Sequence, residues 1–374
     1  MGQPRGDAEV LRADQPLCHA EVPGQPGTAG AQPGLDDLPP RTAHGQHLQR
    51  HRRRDPEVPR RARRPPRGSR SPARRHVTDF GVLLFPNVGW DTLIDRCEQA
   101  ERLGFRSLWI DDHIVNPAAP RANWLEALTT LAGIATCTHR ILIGPLVANV
   151  VLRHPVMLAR QALGIDQMSG GRLQLGLGAG YAPTDHATVQ TPVWPAAERA
   201  ERFAEAVGLV DRLLRSESVD HSGRHYRADH LRLRPAPVAA PRPPLCVAAH
   251  RRESLEVVAR HGDIWSSFGG WGLSSAELIA VTKSRSAALD EFCAAAGRDP
   301  RTVRRQILAG NPATTPDPIW SSVGAFEDWV ARWAEIGIDE IVLYFPPEVL
   351  YAPELVDPAV LDHLAATLFA RRAG

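Results

Sequence analysis

The stretch Arg102-Leu103-Gly104-Phe105-Arg106-Ser107-Leu108-Trp109-Ile110-Asp111-Asp112-His113 joins a helix end, a glycine, a short apolar strand and three ionisable residues. The same junction recurs three more times. Ser169-Gly170-Gly171-Arg172 precedes Leu173-Gln174-Leu175, Arg260-His261-Gly262-Asp263 precedes Ile264-Trp265-Ser266, and Glu335-Ile336-Gly337-Ile338 precedes Ile341-Val342-Leu343. A residue just past a helix often takes the left-handed conformation, which glycine reaches without a Cβ clash. Short αβ loops leading into doubly buried strands are the unit of a parallel α/β fold.

Working outward, the folded body is expected to begin near Thr78. Strand one is Phe80-Gly81-Val82-Leu83-Leu84-Phe85, stopped by Pro86, and a helix over 91–103 shows Leu93, Ile94, Cys97 and Ala100 on one face. A helix around 124–136 leads to strand three at 141–147, and Pro155 opens a helix ending near Met168. Strand four is 173–177, followed by a helix near 197–215 and an inserted β excursion over 218–237. Strands five to eight follow at 245–249, 264–267, 303–308 and 340–344. Ser274 and Glu277 form a capping box for the helix between strands six and seven. Eight β/α units in one domain predict a (β/α)₈ TIM barrel with a small insertion after strand four. Its chemistry is then expected at the carboxyl ends of the strands.

Two segments are expected: an extension over 1–77 and the barrel over 78–374. The formal charge of +2 divides unevenly between them. Residues 1–77 hold 15 Arg, no Lys and 8 acids, hence +7; the remaining 29 basic and 34 acidic residues give −5. Rich in Pro, Gly, Gln and Arg and lacking apolar periodicity, the first segment reads as disordered. Without aromatic residues among its arginines it is not read as a nucleic-acid or membrane arm. Lys283 is the only lysine, which reads as the codon bias of a GC-rich genome. The five cysteines lie far apart with no CxxC pair, so a reducing cytoplasm is the expected compartment. No apolar run reaches the roughly 18 residues of a membrane span, and nucleic acid is not an expected partner of the acidic body.

At the end of strand two, Asp111, Asp112 and His113 are hard to place in a core. His113, ionising near neutrality, suits proton donation or acceptance, with Asp112 as its catalytic companion. A metal site is not expected, because strand one ends in Phe-Pro without a His-x-His. The string from Ser169 to Tyr181 invites a dinucleotide-fingerprint reading. That pattern fails, since Tyr181 stands where a third glycine belongs and Pro183 follows in place of a helix start. Glycines at a strand's carboxyl end nevertheless permit close approach of a flat ligand. Trp194, Trp265, Phe268, Trp271 and Tyr344 are candidates for an apolar pocket wall.

Taken with Arg153-His154-Pro155, Ala159-Arg160-Gln161 and Trp109-Ile110-Asp111-Asp112-His113, the run Asp166-Gln167-Met168-Ser169-Gly170-Gly171-Arg172-Leu173 and Leu175-Gly176-Leu177-Gly178-Ala179-Gly180-Tyr181 resembles the luciferase-like monooxygenase family. Pro244-Leu245 to Ala249 and Arg260 to Trp265 extend the resemblance across most of residues 78–345. It implies a barrel that binds FMN or the 5-deazaflavin coenzyme F420 at the carboxyl rim, usually as a homodimer. By resemblance, Leu146, Val147 and Ala148 form the bulge after strand three, with a non-prolyl cis peptide behind the ring. Gly178, Ala179, Gly180 and Tyr181 lie beside the ring or its ribityl chain. Ala248, Ala249 and His250 meet the phosphate with backbone amides, and Arg251 assists by charge. Two departures stand out: Ala-His-Arg-Arg replaces a Gly-Gly turn, and Tyr181 replaces the Glu of sugar-phosphate-oxidising members. Asp185 stands where many members have Glu, and reads equally as a loop anchor or an acid.

The expected activity is hydride transfer between F420, preferred over FMN, and a small organic substrate, with His113 handling the proton. An FMN monooxygenase fed by a partner reductase is the alternative within the family. A non-catalytic flavin-binding barrel or a metal-dependent barrel hydrolase is the alternative outside it.

Overall fold

The structure is a computed structural model that describes residues 78–117, 119–215 and 218–372; the expected Arg/Pro-rich extension lies outside the described residues. Eight barrel strands follow in chain order, with a helix after each. They are β1 (Asp79–Leu84), β2 (Ser107–Ile110), β3 (Leu142–Pro145) continued by β4 (Ala148–Asn149), β5 (Leu175–Gly178), β8 (Leu245–Ala248), β9 (Ile264–Ser267), β10 (Arg304–Ala309) and β11 (Glu340–Tyr344). The hairpin β6 (Val219–Ser222) and β7 (Arg227–Leu231) forms a separate antiparallel pair, the insertion foreseen after strand four.

The main sheet runs β3-β2-β1-β11-β10-β9-β8-β5-β4, with every pairing parallel. Its two ends meet. Ile143 bridges Leu173, the Ile143 amide donates to the Arg172 carbonyl at 3.0 Å, and β4 pairs with β5, so the sheet closes into a barrel. Strand three is broken at the Leu146–Val147 peptide, which is cis as expected.

The outer helices are α1 (Trp90–Leu103), α2 (Ala127–Cys137), α3 (Pro155–Ser169), α4 (Pro183–Thr188), α5 (Ala196–Leu214), α6 (Arg252–His261), α7 (Ser275–Ala295), α8 (Val323–Glu335) and α9 (Pro358–Arg372). The glycine junctions behave as read at Gly104, Gly170 and Gly337, whose φ angles are 100°, 66° and 81°. Gly262 differs, with φ −78°: its extended cap needs no left-handed residue, and a Cβ there would press on Val258 at 3.1 Å. The capping box at Ser274 and Glu277 is present. Contrary to the sequence reading, a helix does start at Pro183, because a fixed φ and a missing N–H suit the first helical position.

Alternation along the strands separates two cores. One face buries Leu84, Leu108, Ile110, Ile143, Leu177, Val247, Ile307 and Leu343 under the helices. The other fills the barrel with Leu83, Trp109, Leu146, Cys246, Ile264 and Val342. Trp109 occupies the centre because Gly144 leaves it room; a Cβ at Gly144 would sit 2.0 Å from the Gln174 carbonyl and 2.9 Å from the indole. Polar groups close the base: Ser107 Oγ donates to Glu340 at 2.5 Å, Trp109 Nε1 donates to Ser107 Oγ at 2.7 Å, and Gln306 donates to Glu340 at 3.2 Å. Thus every strand's carboxyl end points to the opposite rim. No helix among the described residues is long and apolar enough to cross a membrane.

Candidate active site

At that rim the alternation breaks down in an informative way. The outward residues Leu84, Ile110, Leu177, Ala249 and Leu343 are fully buried, whereas Phe85, Asp111, Val147, Ala248, Phe268 and Tyr344 are all part-exposed. Side chains aimed at the barrel axis can reach solvent only if the mouth is open. The rim is therefore a concavity, walled by Phe85 and Tyr344 (ring centroids 5.3 Å apart), with Trp124 6.0 Å from Phe85 and 6.4 Å from His113.

The three ionisable residues after β2 part company. Asp112 follows the outward parity of Ile110 and is buried. Arg153 grips it with two bonds, of 2.5 Å and 2.8 Å, and the Asn149 amide donates to it at 2.9 Å. Arg153 also binds Glu126, which caps α2 by accepting from the Thr129 amide. Asp112 thus ties β2, β4 and α2 together, and the partner of its carboxylate is Arg153 where the sequence reading placed it with His113. Asp111 is the acid that faces the mouth.

His113 is held by a residue the sequence left undecided. Its Nδ1 lies 2.8 Å from Oδ2 of Asp185, a buried carboxylate that also accepts from the Ile114 amide (3.2 Å) and Asn149 Nδ2 (3.0 Å). Asn149 is oriented in turn, because its Oδ1 accepts from the Val151 amide at 2.9 Å. Gly180, at φ 68°, makes space for this amide; a Cβ would lie 2.2 Å from Asn149 Oδ1. Surrounded by donors, Asp185 stays ionised: burial opposes the charge, but the His113 and Ile114 bonds outweigh it and hold its pKa below the usual range. Nδ1 must therefore donate, and Nε2 is the atom free to gain or lose a proton. Burial disfavours the His113 imidazolium, yet the Asp185 bond and then the Asp111 charge prevail and raise its pKa. The pair stabilises the fold between the depressed titration of Asp185 and the raised titration of His113, and this contribution is lost on either side.

Replacing Asp185 with Asn keeps the shape and removes the charge. The His113 titration is expected to move to lower pH, read from histidine ring resonances by NMR. An unmoved titration would show that Asp185 does not set the protonation of His113.

The cofactor positions divide likewise. Leu146 and Val147 form the break between β3 and β4, with Val147 part-exposed at the mouth, while Ala148 opens β4 and is buried. Gly178 backs the break: a Cβ would lie 2.3 Å from Val147 Cγ2, so only a glycine allows this close approach. Ala179 and Gly180 are part-exposed and Tyr181 is 65% exposed, so this wall is bare. The space beside Gly178 is taken by Val147 and that beside Gly180 by Asn149 and Val151, so the surface this wall offers a flat ring is that of Val147, Ala179 and Tyr181. The expected phosphate cradle is different. The Ala249 amide is spent on the Ser266 carbonyl (3.1 Å), and His250 Nε2 accepts from the Phe268 amide (3.2 Å). Burial, then the Arg285 charge, push the His250 pKa down to about 4, so it brings no positive charge. The Arg251 amide donates to Ser254 Oγ at 3.2 Å, while its guanidinium stays exposed at the start of α6.

Of the proposed wall, Phe268 and Trp271 form a tilted pair with ring centroids 5.4 Å apart, at the rim beside His250. Trp265 is core, its indole donating to the Ala249 carbonyl at 2.8 Å. Trp194 packs on His186 and under Arg202. Among the described residues, the one grouping of three possible metal ligands, Asp220, Asp229 and His230, is exposed on the insertion hairpin.

The model of the luciferase-like monooxygenase family matches residues 74–331. The chain belongs to this family. It is 32% identical over 226 residues to the F420-dependent hydroxymycolic acid dehydrogenase of Mycobacterium tuberculosis, covering 60% of each protein. With the pyrimidine monooxygenase RutA of Acinetobacter baylyi it shares 31% identity over 203 residues, 53% of each. The chain thus spans only half to three-fifths of these relatives. Among solved structures it is similar to an F420-dependent secondary alcohol dehydrogenase in complex with an F420–acetone adduct. The TM-score is 0.62 at 18% identity, over 76% of this chain and 99% of that one, a likeness of fold.

Proposed function

We propose that this luciferase-like protein is an oxidoreductase that moves hydride between coenzyme F420 and a hydroxyl or carbonyl carbon of a small organic substrate. The observation that carries this reading is His113 at the open rim, its Nδ1 tied to buried Asp185 and its Nε2 left for proton exchange. The deazaflavin, when bound, supplies the two-electron hydride chemistry. Leu146, Val147, Gly178, Ala179 and Gly180 would hold its ring, and Arg251 offers charge to its anionic end. Phe85, Trp124 and Tyr344 wall off water from the reacting carbon. As hydride leaves a hydroxyl-bearing carbon, His113 Nε2 takes the hydroxyl proton; in reduction it returns that proton to the carbonyl oxygen.

The preference for F420 over FMN is supported by the relatives named for F420. Fluorescence titration of the full chain with each compound tests it. F420 is expected to bind and FMN not to. Binding of FMN with indifference to F420 would favour the monooxygenase reading shared with RutA.

A further inference from the structure

Beside His113, the structure holds a second proton-bearing group whose position the proposed reaction leaves unused. Asp111 follows Ser107 and Trp109 on the inward parity of β2, so it forms the floor of the mouth. Its Oδ1 accepts from the Asp112 amide at 3.0 Å and lies 3.7 Å from His113 Nε2. That separation is too long for a direct hydrogen bond. It is short enough for one oxygen atom to sit within hydrogen-bond distance of both groups. We propose, resting on the reading above, that Asp111 and His113 clamp the substrate oxygen between them, and that the protonation of Asp111 selects which partner of an alcohol/carbonyl couple is held.

The chemistry is complementary. A charged Asp111 only accepts, so it favours a hydroxyl, which donates to it. A protonated Asp111 donates, so it favours a carbonyl oxygen. In oxidation the hydroxyl proton would swing from Asp111 to neutral His113 Nε2 as the C–H electron pair leaves as hydride, which a bound oxidised deazaflavin would accept, leaving C=O. Reduction reverses each movement.

The surroundings bring Asp111 into a useful range. Burial first, aided by the negative charges of Asp112 and Asp185 and opposed by His113, pushes its pKa up to about 6. The other titratable groups facing it are Tyr181, beyond β5, and Tyr344 on β11. Both phenols remain neutral in this range, since burial raises each. Asp111 and His113 therefore titrate as a coupled pair.

The test uses the full chain without cofactor. The His113 ring resonance, assigned by its loss in His113→Gln, is followed by NMR from pH 4.5 to 9 in wild type, Asp111→Asn and Asp111→Ser. Cyclohexanol and cyclohexanone serve as binding probes at pH 5 and pH 8. In wild type His113 is expected to show an additional inflection near pH 6. Cyclohexanone should bind several-fold tighter at pH 5 than at pH 8, with the opposite trend for cyclohexanol. Both substitutions should remove the inflection, lower the His113 midpoint and flatten the pH dependence of both probes. An unchanged His113 titration, or probe affinities that keep the wild-type pH dependence in the variants, would overturn the clamp. Either variant alone decides the matter if the other fails to fold. Because no cofactor is present, failure of F420 to bind would count against the proposed function and leave the clamp standing.

Discussion

Replacing His113 with glutamine is expected to lower turnover with F420 by about 10²- to 10⁴-fold, the usual contribution of a positioned acid–base group. Glutamine keeps a polar side chain near Asp185 but cannot exchange a proton at neutral pH. Affinity for F420 should be unchanged, because the seat proposed for the ring lies at the Val147 bulge and not at the imidazole. Steady-state kinetics together with fluorescence titration separate the two effects. A variant that loses binding but turns over normally once saturated would place His113 in the cofactor's cradle instead of the proton path. Glutamine is preferred to alanine here, because alanine would leave the buried Asp185 carboxylate without its strongest partner.

Replacing Arg153 with alanine is expected to destabilise the protein by about 3–5 kcal/mol, the cost of leaving one partner of a buried ion pair behind. Asp112 is only 2% exposed and would keep the Asn149 amide but lose both guanidinium bonds, while Glu126 would lose the guanidinium that ties it to Asp112. Urea denaturation of the variant measures this directly. The double variant Arg153→Met with Asp112→Leu should recover much of the loss, since an apolar pair needs no charge compensation. A single variant as stable as wild type would show that the Arg153–Asp112–Glu126 tie does not hold the β2 end in place.

The barrel was legible because its signals are local. Each glycine junction, Pro155 and the Ser274 capping box act within a few residues, and their repetition implied eight units. Boundaries slipped where a longer-range constraint intervened. The expected strand 141–147 is two pieces, since the chain turns at Leu146–Val147 to form the rim. Gly262 resembled the other junctions in sequence, yet it closes α6 against Val258 with an extended backbone.

The site was legible in its location and not in its division of labour. Strand parity places Asp111 with Trp109 and Asp112 with Ile110, but both faces of a barrel strand are apolar, so sequence cannot say which face is inside. Asp185 lies 72 residues from His113, and only the closure of β4 onto β5 brings Asn149 and α4 beside the end of β2. The same holds for Arg153 and Asp112. The string Ala248-Ala249-His250 likewise does not reveal that the Ala249 amide is consumed by pairing with β9.

A crystal structure of the full chain with bound coenzyme F420 tests the central claim most directly. The tricyclic ring is expected in the mouth against Val147 and Gly178, with its reactive edge turned toward His113 Nε2 and Asp111. A ring found outside the barrel mouth, or seated there with Nε2 of His113 turned away and out of reach of any substrate between them, would contradict the account.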